Sequence, residues 1–357
     1  MQQKKSVGAK TSRNHEGKRI DAMKTVIVTG AAGLLGAHFS RYLLEKGYRV
    51  VGIDDLSGGY YDYLPVDNPM FEFWELNLSD CEPLSLEHIF IDPRRDIVAC
   101  YHFAAYAAEG LSPFIRTYNY TNNVLSYTNI VNQCINFGIK LIFTSSMAVY
   151  GDQPAPFNED MQPYPVDPYG VAKFAVEQDL AIAAEQHGLR YNIVRPHNII
   201  GIYQNIWDRY RNVVGIFIRR VLDDEPMLIY GDGEQTRAFS DVKYYMEPFE
   251  QMIHSHDGEI FNLGADKAYT INELAEVVGQ IAWKKNYVPK IKHVEARHEV
   301  KHAYCDHKKA KNLLSFSDDT DLEELVTEMF EWAEKQPKRE QKNMDYEITK
   351  GIYEYWK

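Results

Sequence analysis

Residues 26–36 read Val-Ile-Val-Thr-Gly-Ala-Ala-Gly-Leu-Leu-Gly. An apolar, mostly β-branched run passes into a turn with glycines at Gly30, Gly33 and Gly36, and then into a helical pattern. Few folds accept such a junction. Glycine is needed where backbone turns sharply and a helix packs closely on the strand before it. The helix start also aims free N–H groups and a positive dipole end at the turn, which suits a pyrophosphate. Gly30, Gly33, Leu34, Leu35 and Gly36 are therefore expected to face a dinucleotide. The spacing is G-x-x-G-x-x-G rather than G-x-G-x-x-G, so the turn by itself is a modest signal.

The alternation of strand and helix continues to about residue 200. Strand-like runs fall at 25–29, 49–53, 71–75, 97–102, 140–145 and 190–195, and helical patterns at 34–46, 117–137 and 169–187. This order predicts an α/β fold with a doubly wound, Rossmann-like parallel sheet. The apolar stripes of the last two helices serve core packing or a subunit interface. After 200 the alternation breaks down. Short apolar segments at 227–230 and 260–263 stand between Gly- and Asp-rich turns, which predicts a smaller C-terminal α/β lobe that binds substrate. Segment 319–335 has the periodicity of an amphipathic helix. The expected divisions are a polar, mostly basic leader (1–22), a dinucleotide-binding domain (23–200), a substrate lobe (201–335) and a charged tail (336–357) with aromatics from Tyr346 to Trp356. The leader reads as disordered, with targeting as the lesser reading.

Charge and cysteines exclude other classes. A net charge of −12 argues against a nucleic-acid surface, which needs clustered Lys and Arg. No apolar run is long enough to span a bilayer. Cys81, Cys100, Cys134 and Cys305 are scattered, which fits a reduced, cytoplasmic protein and offers no metal site.

The next strand ends at Asp54, followed by Asp55. A carboxylate at that distance from the glycine turn accepts hydrogen bonds from ribose hydroxyls and repels a 2′-phosphate, which favours NAD over NADP. A turn residue capping the strand is the other reading of Asp54. Asn77 and Leu78 follow the third strand and suit adenine. Phe103, Ala104 and Ala105 follow the fourth, where small residues admit the pyrophosphate. Asn123, on the helix beyond, would steady the crevice. Each of these is as readily structural.

The fifth strand ends in hydroxyls, Thr144-Ser145-Ser146, with Tyr150 just beyond. Ser145 would sit against the cofactor and Ser146 against a substrate hydroxyl, though loop capping explains serines equally. Tyr169-Gly-Val-Ala-Lys173 places a phenol and an ammonium one helical turn apart. A free tyrosine titrates near 10, too high for a base at neutral pH. The ammonium of Lys173 and a positive nicotinamide both favour the phenolate.

With these residues the chain resembles the extended short-chain dehydrogenase/reductase family, and within it the NAD-dependent nucleotide-sugar epimerases and dehydratases, such as the 4-epimerases of UDP-glucose and UDP-N-acetylglucosamine. The resemblance runs from Lys24 to Leu314 and includes Arg195-Pro-His-Asn198, Tyr230-Gly-Asp-Gly-Glu-Gln-Thr-Arg237 and Arg297-His-Glu299. It implies that Asn198, Asn212, Arg237 and Arg297 hold a nucleotide diphosphate, that Ser146 and Met147 flank the sugar, and that Tyr169 takes the proton of the 4-hydroxyl while C4 gives hydride to NAD. Related 4,6-dehydratases carry an Asp-Glu pair after the serine. Met147 and Ala148 cannot transfer protons, and 3,5-epimerases have a cysteine at the place of Ala148. The resemblance therefore favours C4 epimerisation, with Ala303 leaving room for an N-acetylated sugar. Glu109, just past the fourth strand, keeps a second reading open: a UDP-N-acetylglucosamine 5,6-dehydratase with Glu109 as acid or base, or simply a solvated glutamate. A non-catalytic NAD-binding protein is the minor alternative. Val242-Lys-Tyr-Tyr departs from the family's pattern, and His197 is either a substrate contact or a packed residue. The resemblance also implies a homodimer through helices 117–137 and 169–187.

Overall fold

The computed structural model describes residues 23–357 except 82 and 342, so the leader lies outside the described residues. Seven strands form one sheet: β1 Lys24–Thr29, β2 Arg49–Asp54, β3 Phe71–Glu75, β4 Asp96–His102, β5 Lys140–Thr144, β6 Tyr191–Pro196 and β7 Ile260–Leu263. Their spatial order is β7-β6-β5-β4-β1-β2-β3 and every pairing is parallel. From β1 the chain winds outward through β2 and β3, then returns to β4 on the other side. The switch point thus lies between β1 and β4, and the crevice outside their carboxyl ends is where such sheets bind ligands.

Both sheet faces are covered, as a parallel sheet requires. Successive residues of β1 divide between two cores. Val26 and Val28 pack with Phe39, Tyr101 and Phe249, whereas Ile27 packs with Ile53, Ile130, Leu141 and Val176. The covering helices include α1 Leu34–Glu45, α2 Pro83–Phe90, α3 Arg116–Tyr120, α4 Ser126–Phe137 and α5 Pro168–His187.

Three features differ from the sequence expectations. The helix expected over 117–137 is interrupted by a π-turn at Thr121–Leu125. Its cause is side-chain competition for the helix carbonyls: Asn122 Nδ2 donates to Tyr118 O, Asn123 Nδ2 to Asn119 O, and Ser126 Oγ to Asn122 O. The boundary at residue 200 is too simple. Segment 260–263, expected in the small lobe, is β7, and Met246–Met252 and Lys308–Leu314 also pack on the main sheet's core. Helix α2 was not expected; its apolar stretch is too short for periodicity to distinguish helix from strand.

The second lobe has its own core, with Trp207, Phe217, Leu274, Val278, Leu325 and Phe330 at its centre. Helices Val213–Leu222, Ile271–Lys284 and Leu322–Glu334 surround it, the second started by a Thr270/Glu273 capping box. Strand Thr236–Ala238 pairs antiparallel with Ala268–Thr270 and parallel with His302–Ala303. The charged tail is also a docked one. Tyr346, Tyr353, Tyr355 and Trp356 pack on Tyr106, Phe114 and Tyr210 beside the crevice. Among the described residues no helix is long and apolar enough to cross a membrane.

Candidate active site

A cleft of about 460 Å³ opens at the carboxyl edge of the sheet and is lined from both lobes. At its floor the glycine turn is fixed by close approach. A Cβ on Gly30 (φ +68°) would lie 2.7 Å from Ala104 N, and one on Gly36 would lie 2.1 Å from the Gly30 carbonyl oxygen. Gly33 is the N-cap of α1, with no side-chain cap and no acidic residue in the first turn. The helix therefore keeps its N-terminal donors for an anion. Thr29 Oγ1 meets His102 Nδ1 at 3.0 Å and accepts from Ala104 N at 3.2 Å, which ties the ends of β1 and β4 across the switch point.

Asp54 stands at the end of β2. Its carboxylate accepts from Ala32 N at 3.0 Å and Leu56 N at 2.8 Å. Burial pushes its pKa up to about 6, so the ionised form is under-solvated and suited to further donors such as ribose hydroxyls. Asp55, Asn77, Leu78, Phe103, Ala104 and Ala105 line the same end. Asp55 accepts from Ser57 N, and Asn77 from Ser79 N and its hydroxyl. The uncapped helix, the glycine floor and this carboxylate fit NAD.

The catalytic end is built on α5. Asp167 caps the helix by accepting from Gly170 N at 2.9 Å, and Pro168 occupies the first turn. Tyr169 follows, its N–H donating to Ser112 Oγ at 3.2 Å. Burial pushes the Tyr169 phenol up, against a hydrogen bond from Ser146 that favours the phenolate. Burial pushes the Lys173 ammonium down to about 7, with Glu177 opposing. Lys173 Nζ donates to Thr144 O at 2.8 Å and lies 5.8 Å from the Tyr169 ring centroid. Burial disfavours both charges, and a positive group in the cleft would favour the phenolate.

Behind these residues runs a buried polar network. Ser145 donates its hydroxyl to Glu177. Glu177 is held bidentately by Arg195, with Nε to Oε1 at 3.0 Å and a terminal nitrogen to Oε2 at 2.6 Å. Arg195 also donates to Tyr150 Oη at 2.8 Å, and Tyr150 donates to Asn262 Oδ1 at 2.8 Å. The network joins β5, β6, β7 and α5 beneath the strand end that carries Ser146. Ser145 thus lines the cleft with its hydroxyl already engaged.

Arg237 and Arg297 reach the cleft from the second lobe. Glu299 Oε2 accepts from Arg237 at 2.9 Å and from Arg297 at 3.0 Å, which brings the two guanidinium groups together. Two adjacent arginines suit a diphosphate. Asn198 (φ +39°) donates to Ala238 O, and Asn212 (φ +48°) caps helix Val213–Leu222 through Val214 N; both line the cleft. Glu109 lines it as well, on a 3₁₀ turn whose Gly110 lies against Arg297. Burial and the Glu109 charge push Asp167 up to about 7.

Three expected residues lie off the cleft. Asn123 is buried and donates to Tyr106 O and Asn119, which agrees with its expected role of steadying the crevice from outside it. Met147 and Ala303 pack together with Val149, Tyr150, Phe157 and Cys305, because the 3₁₀ turn started by Ser146 directs Met147 inward. Neither residue lines the cleft, contrary to the expectation that Met147 flanks the sugar and Ala303 leaves room for an N-acetyl group. His197 is a packed residue that bonds His307 at 2.9 Å.

Sequence reasoning missed a clasp between the lobes. Asn205 Nδ2 and Arg211 both donate to Gly58 O, at 3.1 and 3.2 Å, and Tyr60 Oη donates to Asn205 Oδ1. Arg211 lies over the Tyr106 ring and pairs with buried Asp208 at 3.0 Å. The dense polar and aromatic run Gln204–Asn212 was the available signal.

A doubly wound sheet with a glycine turn at its switch point, a Ser–Tyr–Lys set above it and an arginine pair across the cleft defines a dinucleotide-dependent enzyme whose substrate carries phosphates. The chain belongs to the NAD dependent epimerase/dehydratase family, whose family model matches residues 26–264. It is similar in structure to the UDP-glucose 4-epimerase of Thermotoga maritima, solved with UDP-glucose, at TM-score 0.79 and 30% identity over 87% of this chain and 99% of that one. It is similar also to a UDP-N-acetylglucosamine 4-epimerase of Methanobrevibacter ruminantium, solved with UDP-N-acetylmuramic acid, at TM-score 0.78 and 31% identity over 87% and 98%. In sequence it is 26% identical to a UDP-glucuronate 4-epimerase of Thermodesulfobacterium geofontis, over 87% of this chain and 96% of that one.

Proposed function

We propose that this enzyme is a 4-epimerase of UDP-linked sugars. The observation that carries the reading is one cleft lined by Ser146, Tyr169 and Lys173 and by Arg237 and Arg297, with Met147 and Ala148, which cannot transfer protons, following Ser146. NAD, when bound, supplies a reversible hydride acceptor for C4 of the sugar. Tyr169 takes the 4-hydroxyl proton and later returns it, Ser146 orients that oxygen, and Lys173 stabilises the phenolate. Arg237 and Arg297 hold the diphosphate, which leaves the sugar free to turn about its anchored end. Similarity to 4-epimerases of UDP-glucose, UDP-N-acetylglucosamine and UDP-glucuronate supports the reaction class and a UDP carrier. The assembly we propose is a homodimer, supported by exposed Leu125 and Phe137 near α4 and Val171 and Ile182 on α5. Light scattering that shows a monomer at working concentration would refute it.

Glu109 in the cleft wall is the one observation that favours dehydration instead. The test is incubation with UDP-glucose and with UDP-N-acetylglucosamine in D₂O, read by proton NMR and mass spectrometry. A new anomeric signal at unchanged mass without deuterium uptake is expected. Loss of water would overturn the epimerase reading and assign Glu109 to acid–base work.

A further inference from the structure

The C-terminal segment forms a column of rings that ends on an arginine of the cleft. The Arg297 guanidinium lies 4.5 Å from the Tyr230 ring centroid. Tyr230 stacks on Tyr355 at 4.6 Å and 27°, and Tyr355 stacks on Tyr353 at 5.3 Å and 3°. The column is anchored at three places. Tyr353 Oη accepts from His298 N at 2.9 Å, next to Arg297 itself. Arg209 donates to Tyr355 O at 2.8 Å. The Glu347 carboxylate accepts from Thr117 N and Tyr118 N, at the start of α3.

Two unused polar atoms show what the column does. The Tyr355 hydroxyl is buried with no hydrogen-bond partner among the described residues, so Tyr355 contributes its ring face and nothing else. Arg297 Nε is likewise buried and unpartnered, while one terminal nitrogen is held by Glu299. The guanidinium is thus fixed in plane and position by the Tyr230 ring and Glu299, at the cleft wall that it lines.

We propose that Tyr355, backed by Tyr353, is a positioning residue for nucleotide-sugar binding that acts through Tyr230 to hold Arg297 at the diphosphate. The proposal rests on the reading of Arg297 as a diphosphate ligand given above. It makes the C-terminal segment part of the substrate site rather than a solvated tail.

The test titrates UDP into the NAD-loaded enzyme by calorimetry, with KM and kcat for UDP-glucose measured alongside. Tyr355→Ala should weaken UDP binding up to about tenfold and raise KM similarly, the scale of a lost aromatic pair. kcat should stay within about twofold and bound NAD should be unchanged. Tyr355→Phe should restore wild-type binding, because only the ring face is used. Tyr355→Leu fills the space without a stacking face, should weaken binding as the alanine does, and decides the matter if the alanine variant does not fold. Wild-type affinity in the leucine variant, with Arg297→Ala impaired, would overturn the column's role. Wild-type affinity in Arg297→Ala would overturn the diphosphate reading and the proposal with it.

Discussion

Glu177→Ala should destabilise the protein far more than an ordinary surface carboxylate would. Glu177 and Arg195 are 4% and 2% exposed at their side chains, and the pair is bidentate. Arg195 keeps its charge at any accessible pH, so removing Glu177 strands a cation in the core with Tyr150 Oη as its remaining partner. Breaking a buried pair in this way costs about 3–5 kcal/mol. Unfolding entropy of roughly 2.1 cal/mol/K per residue gives about 0.75 kcal/mol/K for a chain of 357 residues. The melting temperature should therefore fall by about 4–7 °C. Replacing both partners with apolar residues, as Glu177→Leu with Arg195→Met, removes the stranded charge and should recover all but about 2 °C. Tyr150 still donates to Asn262 in that double variant. Differential scanning calorimetry on NAD-loaded protein at fixed NAD concentration reads both changes. A single-variant shift below about 2 °C would show that water reaches the pair, and the reasoning from burial would fail.

Tyr169→Phe should lower turnover by about 10²–10⁴-fold while NAD stays bound, since the phenol moves the proton and the ring only packs; near-normal turnover would sink the mechanism. NAD affinity should depend on pH through Asp54. Burial raises its pKa to about 6, so below that pH the folded, NAD-free protein carries a neutral carboxyl that accepts poorly, and affinity should fall up to about tenfold per pH unit. Stability of that NAD-free form should change in the opposite sense, declining as pH rises from the unfolded value near 3.8 through about 6; Asp54→Asn should abolish both trends in a reconstitution and melting series. Gly36→Ala should cost both stability and bound NAD, because the new Cβ would lie 2.1 Å from the Gly30 carbonyl oxygen in the turn that α1 grows from. Soluble Gly36→Ala protein with full NAD content would contradict the close approach.

The parts of the site that were legible in the sequence are local in the chain. Gly30, Gly33 and Gly36, the Asp54 strand end, and Tyr169 with Lys173 signal through spacing within one strand, turn or helix, and backbone geometry carries that spacing into space. What escaped depends on contacts between distant segments. Glu299 joins Arg237 across 62 positions, and Tyr60 meets Asn205 across 145. Tyr355 is an ordinary tail aromatic until the fold brings Tyr230 beneath it. Met147 follows a site serine in sequence, yet one 3₁₀ turn suffices to point it into the core. The π-turn in the helix after β4 was hidden for another reason: asparagines fit a helical pattern as letters, while their amides compete with the helix for its carbonyls.

The clasp of Asn205 and Arg211 on Gly58 has a consequence for how the cofactor is used over many cycles. An enzyme that oxidises and then reduces the same carbon leaves its redox partner as it found it, and gains nothing from exchanging it. The clasp joins the lobes four residues beyond Asp54, so a dinucleotide held at Asp54 would lie beside bonds that must part for the lobes to open. In such an architecture the dinucleotide would serve as a resident tool, and the nucleotide sugar would be the molecule that comes and goes.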